Sequence, residues 1–398
     1  MFQSDFPTKG ASMPEPAERL EVRLGLRLKQ ARTKHEMTQD FVAQRLGLPR
    51  QAISEIENGK RSVSADEVFS FSRLYGVPVE ELLREEGAAD HRDLVFLRAD
   101  LLTDEGRIAI SRFESLCREY RWLEEALGEV HPADLRPVAP SPNTFEDAWR
   151  LASEERKRLD LGATPVWSLL EALEERVGIK VFAFHADWSL SGACVVGSFG
   201  PAVYFNLAHP APRRIYTLAH EYFHLLLSGP NGRLASAGGR ICGTEPESKA
   251  REDKLADQFA AELLMPREAV EERLVDLRRE AETLSGSDVI RLAVSFGVST
   301  QAMLFRLGNL GKLGKATPQE LYADPDLRQI DRESRMQVGE PPSTPRRFET
   351  LAILAFLAGH ISRSKLAELL DVPLPKVETR VAPFREGDAL SARIRHAG

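Results

Sequence analysis

The chain has 398 residues, of which 42% are hydrophobic and 28% charged, with a net charge of −7. That length predicts two or three domains, and the composition excludes wholesale disorder. The acidic balance excludes a uniformly basic nucleic-acid-coating protein but permits a local basic face. Three scattered cysteines, Cys117, Cys194 and Cys242, exclude a disulfide framework and a Cys-rich zinc site. No apolar run reaches the ~20 residues that a membrane helix needs. The N-terminus has no signal-peptide core, so a cytoplasmic protein without a membrane partner is expected.

Taken in chain order, residues 1–17 read as a frayed tail and residues 19–83 as short helices with short turns. A longer helix is expected from about Asp93 to Leu127. The proline-rich stretch 131–142 reads as a linker. Helices are expected at 145–159 and 165–176, then strands at 180–184, 192–197 and 202–206, the last two joined as a hairpin. Helices return at 211–228, 247–264 and 266–283, with a Gly/Ser-rich loop between Leu227 and Thr244. Residues 288–307 read as two short helices around Gly297. The proline-bearing segment 314–345 reads as a second linker, and a small helical unit follows from Arg346. The fold class expected is mainly α with a small β-sheet (α+β).

Thr38–Leu46 reads as a helix with Thr38 as N-cap, and Gly47 supplies the positive φ of a tight turn. Pro49 opens the next helix, which buries Ala52, Ile53 and Ile56 and exposes Arg50, Gln51, Ser54 and Glu55. Such a pair lets the second helix enter a DNA major groove, where Arg and Gln make bidentate contacts to guanine and adenine. Between Arg19 and Arg61 ten Lys/Arg stand against five Asp/Glu, a local charge of +5 suited to phosphate.

Thr38-Gln39, Ala43, Gly47, Gln51-Ala-Ile-Ser54 and Glu57-Asn58-Gly59-Lys60-Arg61 resemble the XRE (Cro/cI-type) helix-turn-helix family. The resemblance implies a five-helix domain over 19–85, with Gln39 on phosphate and Arg50, Gln51 and Ser54 in the groove. Lys60 and Arg61 would grip the backbone of a double-stranded operator. Palindromic operators favour two-fold proteins, so a homodimer is expected. The helical connector at 90–130 is a candidate dimerisation element.

The second signal is Thr217-Leu-Ala-His220-Glu221-Tyr-Phe-His224. Residues i and i+4 share a helix face, so His220 and His224 can present two imidazoles to one metal ion, with Glu221 as the candidate catalytic base. The flanking residues are apolar, and a buried imidazole pair wants a partner. A third ligand is expected from the acidic start of the helix Glu252-Asp253-Lys-Leu-Ala256-Asp257.

The metal helix and the Ala256-Asp257-Gln-Phe259-Ala-Ala-Glu-Leu-Leu-Met-Pro266 stretch resemble the ImmA/IrrE metallopeptidase family, a compact gluzincin-like fold, from about Thr164 to Leu313 within a domain over 144–313. That family usually carries Glu three residues before its Ala-Asn/Asp pair; this chain has Asp253 there, with Glu252 beside it. Asp253 is taken as third ligand and Glu252 as the alternative. Asp257, one helical turn on, can buttress a liganding histidine. The resemblance implies Zn2+ and peptide hydrolysis with Glu221 as general base. An extended protein substrate would lie along an edge strand such as Ala202–Asn206. Tyr204, Tyr216 and Tyr222 are candidates to steady the oxyanion, and His185 and His209 to line the cleft.

The expected function is a DNA-binding transcriptional regulator with a zinc-dependent endopeptidase domain that cleaves a repressor or antitoxin-like partner. The alternative is a regulator whose zincin-like domain is a non-catalytic sensor or dimerisation scaffold. In the C-terminal unit, 346–398, Ser362 and the segment to Val372 hint at a second helix-turn-helix, with a packing or dimerisation unit as the competing reading.

Overall fold

The computed structural model describes residues 16–34, 37–77, 79–83, 95–97, 103–136, 138, 141–162, 169–228, 238–243, 251–278, 284–314, 316–335 and 345–385. The chain divides into two compact units. The first comprises Met1–Arg92 and Arg107–Ser115, the second Asp93–Gly106 and Leu116–Gly398.

In the first unit five helices follow one another: α1 (Pro16–Lys34), α2 (Gln39–Leu46), α3 (Arg50–Glu57), α4 (Ala65–Tyr75) and α5 (Val79–Leu83). Their apolar faces bury Leu28, Val42, Ile53, Ile56, Phe71 and Tyr75. Thr38 caps α2 by accepting from the Phe41 N–H, and Gly47 ends it at φ +65°. Pro49 occupies the N-cap position of α3 rather than its first turn, with ψ 143°. Helix α1 approaches the end of α3 backbone to backbone: a Cβ at Gly25 would stand 2.2 Å from the Ile56 carbonyl oxygen. Buried Glu57 closes the contact through a bidentate pair with Arg32, at 2.6 and 3.0 Å.

The second unit is built on a mixed sheet with strand order β1-β5-β3-β4-β2, formed by β1 (Val95–Leu97), β2 (Lys180–Phe184), β3 (Leu190–Gly197), β4 (Gly200–Asn206) and β5 (Gly238–Gly243). The β3–β4 hairpin turns between Gly197 and Gly200. Helix α6 (Asp104–Leu127) contributes residues to both units; α7 (Phe145–Arg158) and α8 (Leu169–Glu171) follow, and α8 continues as a π turn over Ala172–Val177. Helix α9 (Ala211–Ser228) packs along β3 and β4, and α10 (Arg251–Leu264) packs on α9 and α7. After them come α11 (Arg267–Arg278), α12 (Gly286–Ser295) and α13 (Thr300–Asn309). Val181, Val203, Phe205, Leu218, Phe223, Phe259, Ile290 and Met303 share one core.

Four sequence expectations are corrected. The helix expected from Asp93 begins at Asp104, capped by Thr103, and residues 95–97 form a strand parallel to β5. The expected loop 227–244 contains β5, whose Gly-rich residues pair with β3 through the backbone. The expected linker 314–345 contains α14 (Pro318–Ala323) and α15 (Pro325–Arg335), because Pro318 and Pro325 stand at helix starts, where a missing N–H costs nothing. Strand β4 is interior, flanked by β3 and β2, so Ala202–Asn206 offers no free edge to a substrate.

The C-terminal segment forms α16 (Arg347–Leu357), α17 (Arg363–Leu369), a 3-10 turn at Leu374–Lys376 and helix over 377–385. Arg347 and Lys180 both pair with buried Glu124, at 2.7 and 2.8 Å. Tyr120, Phe182 and Phe348 pack against one another beside that cluster, in edge-to-face and tilted pairs. Among the described residues no single helix is long and apolar enough to cross a membrane.

Candidate metal centre and nucleic-acid interface

From Thr217 to Leu226 helix α9 is apolar on nearly every side and wholly buried, and His220, Glu221 and His224 go into the interior with it. The i, i+4 spacing brings the two Nε2 atoms to 3.2 Å. Helix α10 crosses α9 with its acidic first turn. Asp253, buried, places Oδ1 3.5 Å from His224 Nε2. His220, His224 and Asp253 offer donor atoms that all lie within 4.8 Å of one another.

The opposite ring nitrogens are held by carboxylates. Asp257 Oδ1 lies 3.0 Å from His220 Nδ1, and Glu252 Oε1 lies 2.9 Å from His224 Nδ1. Each Nδ1–H donated to a carboxylate leaves the Nε2 lone pair pointing inward. Two lone pairs at 3.2 Å repel each other unless a cation stands between them. Donors around a tetrahedral zinc at about 2.0–2.1 Å are separated by about 3.3 Å. The observed 3.2 and 3.5 Å therefore suit such an ion. Glu252, weighed as an alternative ligand, is directed to the outer nitrogen of His224. The acidic run Glu252-Asp253 was the signal for that role, but which acid faces inward depends on the phase of α10 against α9.

Glu221 is fully buried, and among the described residues neither of its carboxylate oxygens has a hydrogen-bond partner. A buried carboxylate left open is costly, and such groups mark places where solvent or substrate completes the site. Space beside it is kept by Gly192 on β3. A Cβ there would stand 2.5 Å from Thr217 Cγ2, 2.9 Å from the Tyr204 carbonyl oxygen and 3.2 Å from Glu221 Oε1. Sequence reasoning passed over Gly192, although a glycine inside a strand signals a close approach.

The three tyrosines have other engagements. Tyr204 donates to the Phe184 carbonyl at 3.2 Å, and Tyr216 to the Asp257 carbonyl at 2.9 Å. Tyr222 donates to Glu155 and accepts from Arg158 at 2.7 Å. Burial, with Glu155 adding to it, pushes the Tyr222 hydroxyl well above its ordinary pKa and keeps it a donor. His209 packs against Trp188 and bonds its carbonyl at 3.0 Å. The side chain of Cys242 lies outside the described residues.

In the first unit Arg50 and Gln51 stand exposed at the start of α3, with Ser54 partly exposed one turn on. Arg50 lies 3.4 Å from exposed Asp40, and Gln51 donates to Glu55 at 2.8 Å. Lys60 is exposed; Arg61 pairs with Glu67 at 2.7 Å. The Gln39 amide donates inward to Glu57 at 2.8 Å, so its NH2 group ties α2 to the Arg32–Glu57 pair.

Two family profiles match the chain, one described as helix-turn-helix over residues 28–82 and one as IrrE N-terminal-like domain over residues 174–308. A propionyl-CoA carboxylase regulator of Cereibacter sphaeroides is 26% identical over 73% of this chain and 65% of its own length. The chain thus spans just under two-thirds of that relative. An uncharacterised HTH-type transcriptional regulator of Methanocaldococcus jannaschii is 38% identical over 14% of this chain and 85% of its own length. The crystal structure of ComR from Streptococcus suis covers 93% of this chain and 96% of that one. Its 12% identity and TM-score of 0.16 carry no argument about fold.

Proposed function

Given that the chain belongs to the XRE-type helix-turn-helix regulators and carries an ImmA/IrrE-like domain in the same polypeptide, we propose that this DNA-binding transcriptional regulator is also a zinc-dependent endopeptidase. Its substrate is a protein partner, a repressor or antitoxin-like regulator, and it works in the cytoplasm. The observation that carries the proposal is the convergence of three buried donors beside a buried carboxylate whose two oxygens have no hydrogen-bond partner among the described residues.

A zinc ion held by His220, His224 and Asp253 would supply Lewis-acid polarisation of the scissile carbonyl. Asp257 and Glu252, accepting from Nδ1–H, hold both imidazoles in the tautomer whose Nε2 lone pair faces inward. Glu221 takes the proton of the attacking water and returns it to the leaving amine. Its burial keeps bulk solvent from the carboxylate until the substrate enters. On the DNA side a homodimer reads a palindromic operator through Arg50, Gln51 and Ser54, with Gln39, Lys60 and Arg61 toward phosphate. The likeness to a protein named as a carboxylase regulator supports gene control as the output of the whole chain.

A second reading, a non-catalytic sensor or scaffold, is favoured by one observation: the hydroxyls of Tyr204, Tyr216 and Tyr222 are all engaged elsewhere. Two measurements separate the readings. Purified wild type is expected to hold one metal ion per chain by elemental mass spectrometry, Glu221→Gln to retain it and His220→Ala to lose it. Glu221→Gln is then expected to abolish the regulatory response of a reporter gene in cells. A Glu221→Gln chain that regulates like wild type establishes the scaffold reading.

A further inference from the structure

The C-terminal helices repeat the local geometry of the N-terminal helix-turn-helix at one constant offset in numbering. Ser362 caps α17 as Thr38 caps α2, each accepting from the backbone N–H three residues on, at 3.1 Å. The Ala367 carbonyl accepts from the Val372 N–H at 3.0 Å, as the Ala43 carbonyl accepts from the Leu48 N–H at 2.9 Å. Asp371 takes the left-handed φ of +53° where Gly47 takes +65°. Among the described residues nothing lies within 4 Å of a Cβ built at Gly47, so the turn itself leaves room for the Asp side chain. Pro373 then enters the next helix at φ −57° and ψ 141°, as Pro49 does at −63° and 143°. Leu366 and Val377 are fully buried at the places of Val42 and Ile53.

The side chains on this frame differ in a systematic way. The groove positions occupied by Arg50, Gln51 and Ser54 carry Leu374, Pro375 and Glu378, which lack the bidentate donors that discriminate bases. The place of Gln39, at the start of the first helix of the motif, carries exposed Arg363. Lys376, Arg380 and Arg385 add exposed cations along the second helix; Arg380 lies 3.4 Å from Glu349, and Arg385 pairs with Glu378. Residues 346–385 hold seven Lys/Arg against four Asp/Glu in an acidic chain.

We infer that residues 347–385 form a second helix-turn-helix that grips the sugar-phosphate backbone of double-stranded DNA without reading its sequence. Phosphate contacts position a protein on the duplex, whereas base contacts specify the site. The N-terminal motif specifies and the C-terminal one anchors. The inference is independent of the peptidase proposal, since no residue of the metal site takes part.

The test uses the full chain and a long mixed-sequence duplex. Anisotropy titrations at several salt concentrations compare wild type with the triple variant Arg363→Ala, Lys376→Ala, Arg380→Ala. Each lost phosphate contact lowers the salt slope by about 0.9. The triple variant is expected to lose two to three units of slope and at least tenfold in affinity at low salt, with an unchanged circular dichroism spectrum. The charge-retaining pair Arg363→Lys, Arg380→Lys is expected to keep the wild-type slope. An unchanged slope and affinity in the triple variant overturns the inference and makes the module a protein-docking element. Loss of binding by the charge-retaining pair as well overturns it too, because simple phosphate attraction tolerates that exchange.

Discussion

Glu221 and Gly192 are neighbours across the boundary between helix α9 and strand β3, and each constrains the other. A side chain at position 192 has to displace Thr217, the Tyr204 carbonyl or the Glu221 carboxylate. Gly192→Ala is therefore expected to cost about 1–3 kcal/mol by overpacking and to lower metal occupancy, because Glu221 and His220 share the shifted helix. Thermal denaturation and elemental analysis of the same preparation check both effects. In the first unit Glu57 holds Arg32 and Gln39 at once. Glu57→Ala leaves a nearly buried guanidinium without its counter-charge and is expected to destabilise that unit by about 3 kcal/mol, read from urea denaturation. The sequence placed Glu57 within a family motif, but its partners come from α1 and α2 and are brought together only by packing.

Helix α16 begins without a side-chain cap of its own: Arg346 is helical and supplies none. The carboxyl of Glu174, on the π turn, instead takes the Arg346 and Arg347 backbone N–H groups. Burial raises the Glu174 pKa to about 8, against the lowering effect of those N–H groups and of the Arg347 charge; Glu175 adds to the rise. A carboxyl raised in the folded state binds a proton that the unfolded chain releases near its ordinary value of 4.5. Stability therefore falls as pH rises from about 4.5 to about 8 and is level above that, a loss of a few kcal/mol. Glu174→Gln is expected to flatten this dependence and raise the melting temperature most at alkaline pH. A melting curve for the variant as steep in pH as wild type would falsify that assignment. This coupling is invisible in periodicity, because Glu174 and Arg347 are far apart in sequence. The two prolines misread as linker signals, Pro318 and Pro325, show the related ambiguity: proline interrupts a helix from inside and starts one from its first turn.

The −7 net charge of the whole molecule conceals a helix-turn-helix segment of +5. Operator affinity is expected to fall steeply with salt, as counterion release requires. Replacing Arg50 and Gln51 by Ala is expected to reduce discrimination between operator and random duplex by tenfold or more while leaving metal content unchanged. Competition binding and elemental analysis on one variant test both halves.

The sequence by itself determined what is written in nearest-neighbour terms. A turn glycine with positive φ, the caps at Thr38 and Ser362, the i, i+4 imidazole pair and the β3–β4 hairpin all follow from backbone sterics and local geometry within a few residues. Tertiary structure alone decided which acid of Glu252 and Asp253 faces the inner Nε2 atoms and which the outer Nδ1, that Gly192 stands against Glu221, that β4 is interior, and that β1 and β5 extend the sheet. Those outcomes depend on the phase and distance between elements remote in the chain, which burial and backbone pairing select and local pattern does not encode.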